Sequence, residues 1–285
     1  MVGVGGSSPL VSTITHYILG KYLFINYLLY DVDLLINGEI MKRYTIILLS
    51  IFCFLNLNSE ELPESVSAEY FGCKFDEGKN INDMNEWIAK WNKWMDSSGL
   101  DEYQASLLTP LYRSPNDEID FMWVGRTDSW QELAKGQSAY LTSGLAESYP
   151  AKSCPFSFIA RQIPAGGADI QEEINQEEFV AAYWLCDIEG SSNLEEVYSA
   201  QATRMKYVSG GGNRISSRII VPRQGIPSLL SETDFVMLYV SPSLQQWGSN
   251  VDNYQNNLEG IGDDNAANGI FSCSNSTVYV GRTIR

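Results

Sequence analysis

The chemistry open to this chain is limited by its single histidine, His16. Histidine is the usual general base at neutral pH and a common ligand of zinc and haem iron, so histidine-based triads and histidine-held metals are not expected. We therefore predict no cofactor and no metal site. Proton transfer would depend on aspartate, glutamate, tyrosine, lysine or a carboxylate–arginine pair, and the pattern alone assigns no catalytic residue. Asp120 and Asp234, which precede apolar runs, are more typical of turn caps.

Arginine and aromatic residues in strand-like segments are the candidate binding residues. If their side chains face one cavity, the guanidinium groups would hold an anionic or carboxylate ligand and the rings would line the walls. The alternative is that the arginines pair with acids at sheet edges and the rings pack in the core. Arg223 and Arg282 lie in similar segments. The residues predicted to bind a ligand are Tyr70, Trp123, Arg126, Arg161, Tyr183, Trp184, Arg218 and Tyr239.

The acidic composition narrows the class of partner. The chain of 285 residues carries a formal net charge of -16, which repels nucleic acids and anionic membrane surfaces. Hydrophobic residues make up 44% and charged residues 19%, so the chain has enough apolar side chains to fold around a core. We expect a small organic ligand or a protein as the partner, and no nucleic acid.

Residues 41–59 have the pattern of an export signal. The basic start Met41–Arg43 is followed by an apolar run over 45–57 and then by an acidic, polar stretch. The run is shorter than the roughly 20 residues that span a bilayer, and a retained signal anchor is the alternative. We predict cleavage near Ser59, a periplasmic or extracellular location and no stable membrane insertion afterwards. Residues 1–40 are interpreted as a non-native upstream extension, with a two-helix membrane anchor as the alternative.

Internal similarity predicts that the rest of the chain is duplicated. Glu69–Cys73 matches Ala182–Cys186, and Glu118–Met122 matches Glu232–Val236, in the same order and at nearly the same spacing. The predicted domains are a first repeat over 66–161, a linker over 162–176 and a second repeat over 177–285.

Each repeat is predicted to contain the elements βαββαβ. Apolar and alternating runs predict the strands. In the first repeat Trp87, Trp91 and Trp94 recur at helical spacing, which predicts a helix packed against the sheet and ended by Gly99. The predicted helix starts are Asp83 with Glu86, Ser192 with Glu195, and Ser241 followed by Pro242.

A βαββαβ unit is the ferredoxin-like arrangement, whose sheet carries helices on one face only. Two such units in one chain can cover each other, so residues 66–285 resemble the dimeric α+β barrel proteins. That group contains antibiotic-biosynthesis-type monooxygenases and related stress-response and dye-decolourising families. The resemblance lies in architecture. It implies an α+β fold in which two tandem ferredoxin-like repeats pack their antiparallel sheets as a pseudo-dimeric barrel.

The cysteines are predicted to form disulfides. Cys53 lies in the predicted signal peptide, and an even number of remaining cysteines in an exported protein indicates cross-links. In the resembled fold the first and last strands of each unit are antiparallel neighbours. The pairs this implies are Cys73–Cys154 and Cys186–Cys273.

Three functions remain open from the sequence. The first is an exported protein that binds a small organic ligand or a protein partner in or around a cavity between the sheets. The second, which the resemblance implies, is a cofactor-independent enzyme of the monooxygenase or isomerase kind. The third is a structural envelope protein in which the tryptophan-bearing helices form an interface.

Overall fold

Eight antiparallel strands close into one barrel in the computed structural model, which describes residues 62–112, 119–174 and 178–285. The predicted extension and signal peptide, 1–40 and 41–59, lie outside the described residues. The strands are rich in β-branched and aromatic residues, which suit a pleated and half-buried surface. They are β1 (Val66–Lys74), β2 (Gln104–Pro110), β3 (Phe121–Thr127), β4 (Ser153–Gly167), β5 (Glu178–Ile188), β6 (Ser216–Gln224), β7 (Phe235–Ser241) and β8 (Phe271–Thr283).

The strand order around the barrel is β1-β3-β2-β8-β5-β7-β6-β4, and β4 pairs with β1 to close it. The N-terminal half, residues 62–174, supplies β1 to β4, and the C-terminal half, residues 178–285, supplies β5 to β8. The halves meet at two seams, where β2 pairs with β8 and β4 pairs with β6. The predicted α+β fold with an antiparallel sheet is confirmed.

The long helices lie outside the barrel, two on each half. In the N-terminal half Trp87 and Trp91 pack against Trp123 on the outer face of β3. In the C-terminal half Val197 packs in one cluster with Phe235 of β7. The helices of the described residues are α1 (Ile81–Ser98), α2 (Trp130–Thr142), the short α3 (Gln171–Ile174), α4 (Leu194–Gly210) and α5 (Leu244–Asn257).

The first helix of each half begins with a capping box that the sequence placed at the wrong residue. Asn80 caps α1, and Asp83 bonds back to the Asn80 amide at 3.0 Å, so Asp83 is the second member of the box and not its first. Asn193 caps α4 together with Glu196, one residue after the predicted Ser192. Asparagine caps a helix as well as serine or aspartate does, so residue type alone does not choose among neighbours.

The second helix of the C-terminal half also starts later than predicted. β7 continues through Ser241, which keeps that residue and Pro242 out of the helix. Ser243 is the cap of α5, and its hydroxyl accepts a hydrogen bond from the Gln246 amide at 3.1 Å. The predicted end of α1 at Gly99 is confirmed, since Gly99 has the left-handed conformation (φ 68°).

Part of the predicted linker belongs to the sheet. β4 continues through Gly167, and its last residues pair with β6 through Gln162 and Ile163. The register shifts between Pro164 and Gly167, and both Gly166 and Gly167 have positive φ, so the strand ends in an irregular turn that glycine permits. The pairing with β6 is a long-range contact, and the local composition of the segment does not reveal it.

Both predicted disulfides, Cys73–Cys154 and Cys186–Cys273, are present in the structure. Each joins the first strand of its half to the last. The two aspartates that the sequence assigned to turn caps make a long-range contact instead: the Oδ2 atoms of Asp120 and Asp234 accept hydrogen bonds at 2.9 Å from the Phe75 and Ile188 amides, at the end of the first strand of each half.

Within the part of the chain that the structure describes, no helix is both long enough and apolar enough to cross a membrane.

Candidate functional site

A cavity of about 180 Å³ lies inside one end of the barrel. Its polar walls include Arg126 of β3, Gln162 of β4, Tyr183 of β5 and Arg218 of β6, together with Ser106, Asp169, Gln171 and Ser216. Its apolar walls include Leu108, Val124, Phe179, Ala181, Leu238 and Val240. The cavity therefore combines a small number of polar groups with an apolar lining, as ligand sites commonly do.

Strand periodicity explains why these side chains meet. Successive residues of a strand point to opposite faces, so Arg126 shares the inner face of β3 with the core residues Met122 and Val124. On β6, Arg218 likewise shares the inner face with the buried Ile220. Two arginines at alternating positions of apolar strands therefore point into the same interior.

The segment that joins the two halves covers this end of the barrel. Residues 168–171 and Ile174, which include the first and last residues of α3, line the cavity, and Ile170 is buried. Arg214 holds the segment in place, because it donates to the Asp169 carbonyl at 3.0 Å and forms an ion pair with Glu173. The segment predicted to be a linker is thus a wall of the interior cavity.

The charges of the two interior arginines are not neutralised by an ion pair within the described part of the chain. Among the described residues no salt bridge joins either one to a carboxylate, and Arg126 donates instead to the neutral Gln104 Oε1 at 3.1 Å. Burial, and after it the charge of Arg126, lowers the pKa of Arg218 to about 10. Burial also lowers the pKa of Arg126. Arginine stays charged at neutral pH, so the two guanidinium groups bring positive charge to a cavity wall that also includes Asp169.

The interior tyrosines act as neutral hydrogen-bonding groups. Burial raises the pKa of both Tyr70 and Tyr183 above the ordinary value, so both phenols stay protonated at neutral pH. The Tyr70 hydroxyl accepts a hydrogen bond from Gln162 Nε2 at 2.5 Å. Gln162 Oε1 is buried and has no hydrogen-bond partner among the described residues, which leaves an acceptor at the cavity wall.

A second interior cavity of about 160 Å³ is lined by both tyrosines. Tyr70 stacks on Phe158 with ring centroids 4.7 Å apart, and Tyr183 meets Tyr279 edge to face at 5.6 Å. Tyr183 lines both interior cavities. The barrel interior thus has a cationic end and an aromatic end.

The structure brings four of the eight predicted binding residues to this interior, namely Tyr70, Arg126, Tyr183 and Arg218. The other four lie on the outer face of the barrel. Trp123 packs under α1, and its Nε1 donates to the Tyr103 hydroxyl at 3.0 Å. Arg161 is partly buried on β4, and its Nε has no hydrogen-bond partner among the described residues. Side chains alternate between the two faces of a strand, so Trp123 and Arg161 point outward while the residues next to them point inward.

Trp184 and Tyr239 line a different cavity, of about 630 Å³, between the outer face of the C-terminal half and the helices α4 and α5. This cavity contains an ion pair that the sequence did not predict, in which Arg204 Nε lies 2.8 Å from Asp264 Oδ1. Arg204 also donates to the Tyr239 and Tyr254 hydroxyls at 2.8 and 2.9 Å. Its charge is therefore already satisfied.

The electrostatics of this outer cavity differ from those of the interior. Burial alone would lower the pKa of Arg204, but Tyr239, Tyr254 and Asp264 outweigh it and raise the pKa above its ordinary value. Asp264 also accepts from the Gly260 amide at 2.8 Å, and its pKa is lowered by these donors although burial opposes them. The sequence gives no sign of this ion pair, because Arg204 and Asp264 belong to different elements and are not separated by a helical spacing.

The tryptophan stripe of α1 faces the barrel. Trp87 and Trp91 are each 4% exposed, and Trp94 is partly buried. An interface built on these rings was the sequence argument for a structural envelope protein, and the burial of the rings removes that argument.

No group of three or more metal-ligating side chains occurs within residues 62–112, 119–174 and 178–285. Haem held through histidine finds no ligand there either, because the only histidine of the chain is His16.

No protein-family model matches the chain, and no curated protein matches it. Solved structures do. A provisionally assigned chlorite dismutase is 12% identical with a TM-score of 0.47, and the match covers 78% of this chain and 96% of that one. A mutant chlorite dismutase from Candidatus Nitrospira defluvii is 11% identical with a TM-score of 0.45, covering 79% and 95%. A heme-binding protein from Thermus thermophilus is 10% identical with a TM-score of 0.45, covering 78% and 92%.

The closed strand order, the antiparallel pairing of every neighbouring strand and the long helices outside agree with the barrel architecture that the sequence resemblance implied. The fold provides two interior cavities and an outer cavity beside α4 and α5, and the side chains described above decide what each of them can bind.

Proposed function

We propose that this is an exported protein that binds a small organic anion inside the barrel. The observation that carries the proposal is the pair Arg126 and Arg218, which share one interior cavity without an acidic partner among the described residues. Holding two like charges in an apolar interior opposes folding, and a bound anion would offset that cost. Guanidinium groups suit a carboxylate because they can bind it through two parallel hydrogen bonds.

The remaining walls define the rest of the ligand. Gln162 Oε1 would accept a hydrogen bond from a hydroxyl or amide group of the ligand. The apolar side chains from four strands would hold a compact hydrocarbon body. A cavity of about 180 Å³ is close to the roughly 150 Å³ that holds a benzene molecule in an apolar protein interior. The ligand class is thus a small aromatic or branched carboxylic acid.

We also propose that the two halves are tandem repeats packed as a pseudo-dimer. Corresponding residues of the two halves make corresponding interactions. Asp120 and Asp234 each accept a hydrogen bond from a backbone amide at the end of the first strand of their half. Each half also has its own disulfide between its first and last strands. In this proposal the anion lies between the sheets of the two repeats. Export is supported by the signal-like segment 41–59 and is compatible with the two disulfides.

Benzoate is a suitable probe, because it combines a carboxylate with a ring of the right size. We expect benzoate to raise the melting temperature of the protein and to bind in calorimetry, whereas benzamide, its uncharged analogue, binds about tenfold more weakly or not at all. Equal binding of the two compounds would contradict an anion site, and so would the absence of benzoate binding.

The matched variants are Arg218→Gln and Arg161→Gln. Arg218→Gln should weaken benzoate binding about tenfold or more, because it removes one of the two interior charges. Without ligand it should be at least as stable as the wild type, since the repulsion from Arg126 is gone. Arg161→Gln, on the outer face, should bind benzoate normally. A loss of binding in Arg161→Gln alone would place the site outside the barrel.

A cofactor-independent enzyme is the second candidate, and one observation favours it. The carboxylate-bearing Asp169 lines the same cavity as the two arginines and Tyr183, so an acid and cationic groups are near one another. The two candidates differ in the fate of the ligand. Recovery of an unchanged ligand after long incubation supports binding, and its conversion supports catalysis.

A further inference from the structure

A cavity of about 340 Å³ lies between the outer face of the N-terminal half and the helices α1 and α2. Aromatic rings make up most of its wall, and a single carboxylate, Glu69 of β1, lines it. Leu141, which is 79% exposed, also lines the cavity, so its mouth lies beside the end of α2. The site is separate from the interior cavity, because Glu69 and the interior residue Tyr70 are adjacent in β1 and point to opposite faces.

Glu69 is 5% exposed, which is unusual for a glutamate without a cationic partner. Both of its oxygens accept hydrogen bonds, Oε1 from the Tyr103 hydroxyl at 2.5 Å and Oε2 from Gln137 Nε2 at 2.7 Å. The Tyr103 oxygen in turn accepts from Trp123 Nε1 at 3.0 Å, so the tyrosine proton is directed to Glu69. This arrangement of donors favours the ionised carboxylate.

Neither hydrogen-bond donor neutralises the charge. None of the residues that line the cavity is lysine or arginine, and no salt bridge to Glu69 occurs among the described residues. A buried carboxylate is ordinarily paired with a positive charge, because its removal from water is costly. Burial raises the pKa of Glu69 although Tyr103 and Gln137 oppose it, so the protein alone compensates the charge only in part.

The aromatic wall supplies the other half of a cation site. Trp87, Trp91, Trp94 and Tyr140 all line the cavity, and their positions are fixed by edge-to-face packing, as for Trp94 against Tyr140 at 6.5 Å. The faces of such rings attract organic cations, most strongly when the cation is removed from water. The cavity volume suits a small alkylated ammonium compound.

We infer that this outer cavity of the N-terminal half binds a small organic cation, with its ammonium group between Glu69 and the tryptophan rings of α1. The charge of this ligand is opposite to that of the ligand proposed for the barrel interior. The two proposals are independent, because they concern different cavities. The ligand class is a quaternary or alkylated amine, which fills an aromatic cavity better than an inorganic cation does.

The corresponding place in the C-terminal half has different chemistry. Glu69 pairs across the sheet with Gly125, whereas the matching pair on β5 and β7 is Ala182 with Tyr239. Gly125 leaves the room that the acid needs, because a Cβ there would lie 2.0 Å from the Tyr103 hydroxyl and 2.8 Å from Glu69 Oε1. The cation site is thus specific to the N-terminal half.

The test is a titration of tryptophan fluorescence with choline and with its neutral isostere, the alcohol in which carbon replaces the quaternary nitrogen. We expect choline to change the emission saturably and to bind at least about tenfold more tightly than the alcohol. Equal binding of both would mean that the cavity is simply an apolar pocket. No saturable response to choline would equally overturn the inference.

The variant Glu69→Gln preserves the shape of the side chain and removes its charge. It should weaken choline binding about tenfold and leave binding of the alcohol unchanged, whereas the matched control Glu86→Gln, exposed on α1, should behave as the wild type. Unchanged choline binding in Glu69→Gln would contradict the inference. If Glu69→Gln does not fold, the variant Trp94→Leu, at the partly buried edge of the cavity, tests the same site. It should weaken the binding of choline more than that of the alcohol. An equal loss of binding for choline and the alcohol would contradict the inference.

Discussion

At the scale of single residues, three charged side chains lie in cavities without an ion-pair partner among the described residues. Arg126 and Arg218 lie inside the barrel, and Glu69 lies outside it beneath two helices. The barrel interior and the outer cavity lie on opposite faces of β1, since Glu69 and Tyr70 are adjacent in that strand and point to opposite sides. Unpaired charges held away from water oppose folding, and both ligand proposals rest on that cost.

The pH dependence of stability tests the state of Glu69. Its pKa is raised in the fold from the ordinary 4.5, so the native state holds the proton more tightly than the unfolded chain does. Its contribution to the free energy of unfolding is therefore complete below the unfolded pKa and is lost as the pH rises through the folded pKa. Glu69→Gln lacks this loss.

Urea unfolding at about pH 4 and about pH 7 should reveal the difference. Glu69→Gln and the wild type should have similar stability at the lower pH, and the variant should be relatively more stable at the higher pH. The control Glu86→Gln should follow the wild type at both. A difference between Glu69→Gln and the wild type that does not change with pH would show that burial does not perturb this carboxyl group.

At the scale of elements, one glycine decides whether β3 can pass beneath the Glu69–Tyr103 hydrogen bond. A methyl group at Gly125 would overlap the Tyr103 hydroxyl, whereas one at Gly136 of α2 would make an ordinary contact of 3.7 Å with the Tyr103 ring. Gly125→Ala should lower the free energy of unfolding by about 1–3 kcal/mol, because it forces that buried hydrogen bond apart. Chemical denaturation monitored by fluorescence measures this change in the free energy of unfolding.

Gly136→Ala is the matched control for this substitution. It places the same methyl group on the other side of Tyr103, within a helix, where alanine is favoured over glycine by up to about 1 kcal/mol. Its stability should be unchanged or higher. Equal destabilisation by both substitutions would mean that crowding around the tyrosine ring, and not the loss of the hydrogen bond, is responsible.

Sequence patterns predicted the elements better than their ends. The strands follow from alternation and the helices from the spacing of Trp87, Trp91 and Trp94, because those signals are local. The extension of β4 to Gly167 was missed, since it depends on pairing with β6, a partner far away in the sequence. The interior arginines were found because they interrupt apolar strands, but their separation from Trp123 and Arg161 required the alternation to be followed residue by residue.

Glu69 was a missed signal of the same kind. It lies in a strand between the buried Ala68 and Tyr70, and an acid at a buried strand position requires either a partner or a function. Arg204 and Asp264 carried no comparable signal. They are brought together by the packing of a 3-10 turn at residues 262–267 against α4, which a sequence pattern does not specify.

At the scale of the whole molecule, the predicted export and the two disulfides can be tested together. The cross-links close separations of 81 and 87 residues, which in the chain-entropy model stabilise the fold by about 4–5 kcal/mol each, commonly less in practice. A peptide map of the exported protein under non-reducing conditions should give a mature start near Glu60 and the pairs Cys73–Cys154 and Cys186–Cys273. A retained N-terminus would contradict export, and crossed pairs would contradict the strand order.

The two seams of the barrel constrain how the chain reaches its native state. One edge of β2 pairs only with β8, and one edge of β4 pairs only with β6. The N-terminal half therefore has two unpaired strand edges until the C-terminal half has been synthesised. Unpaired edges favour association with other chains, and barrels closed by distant segments fold slowly. Closure must therefore wait until β8 has left the ribosome. During that interval the sheet of the nascent chain remains open at both seams.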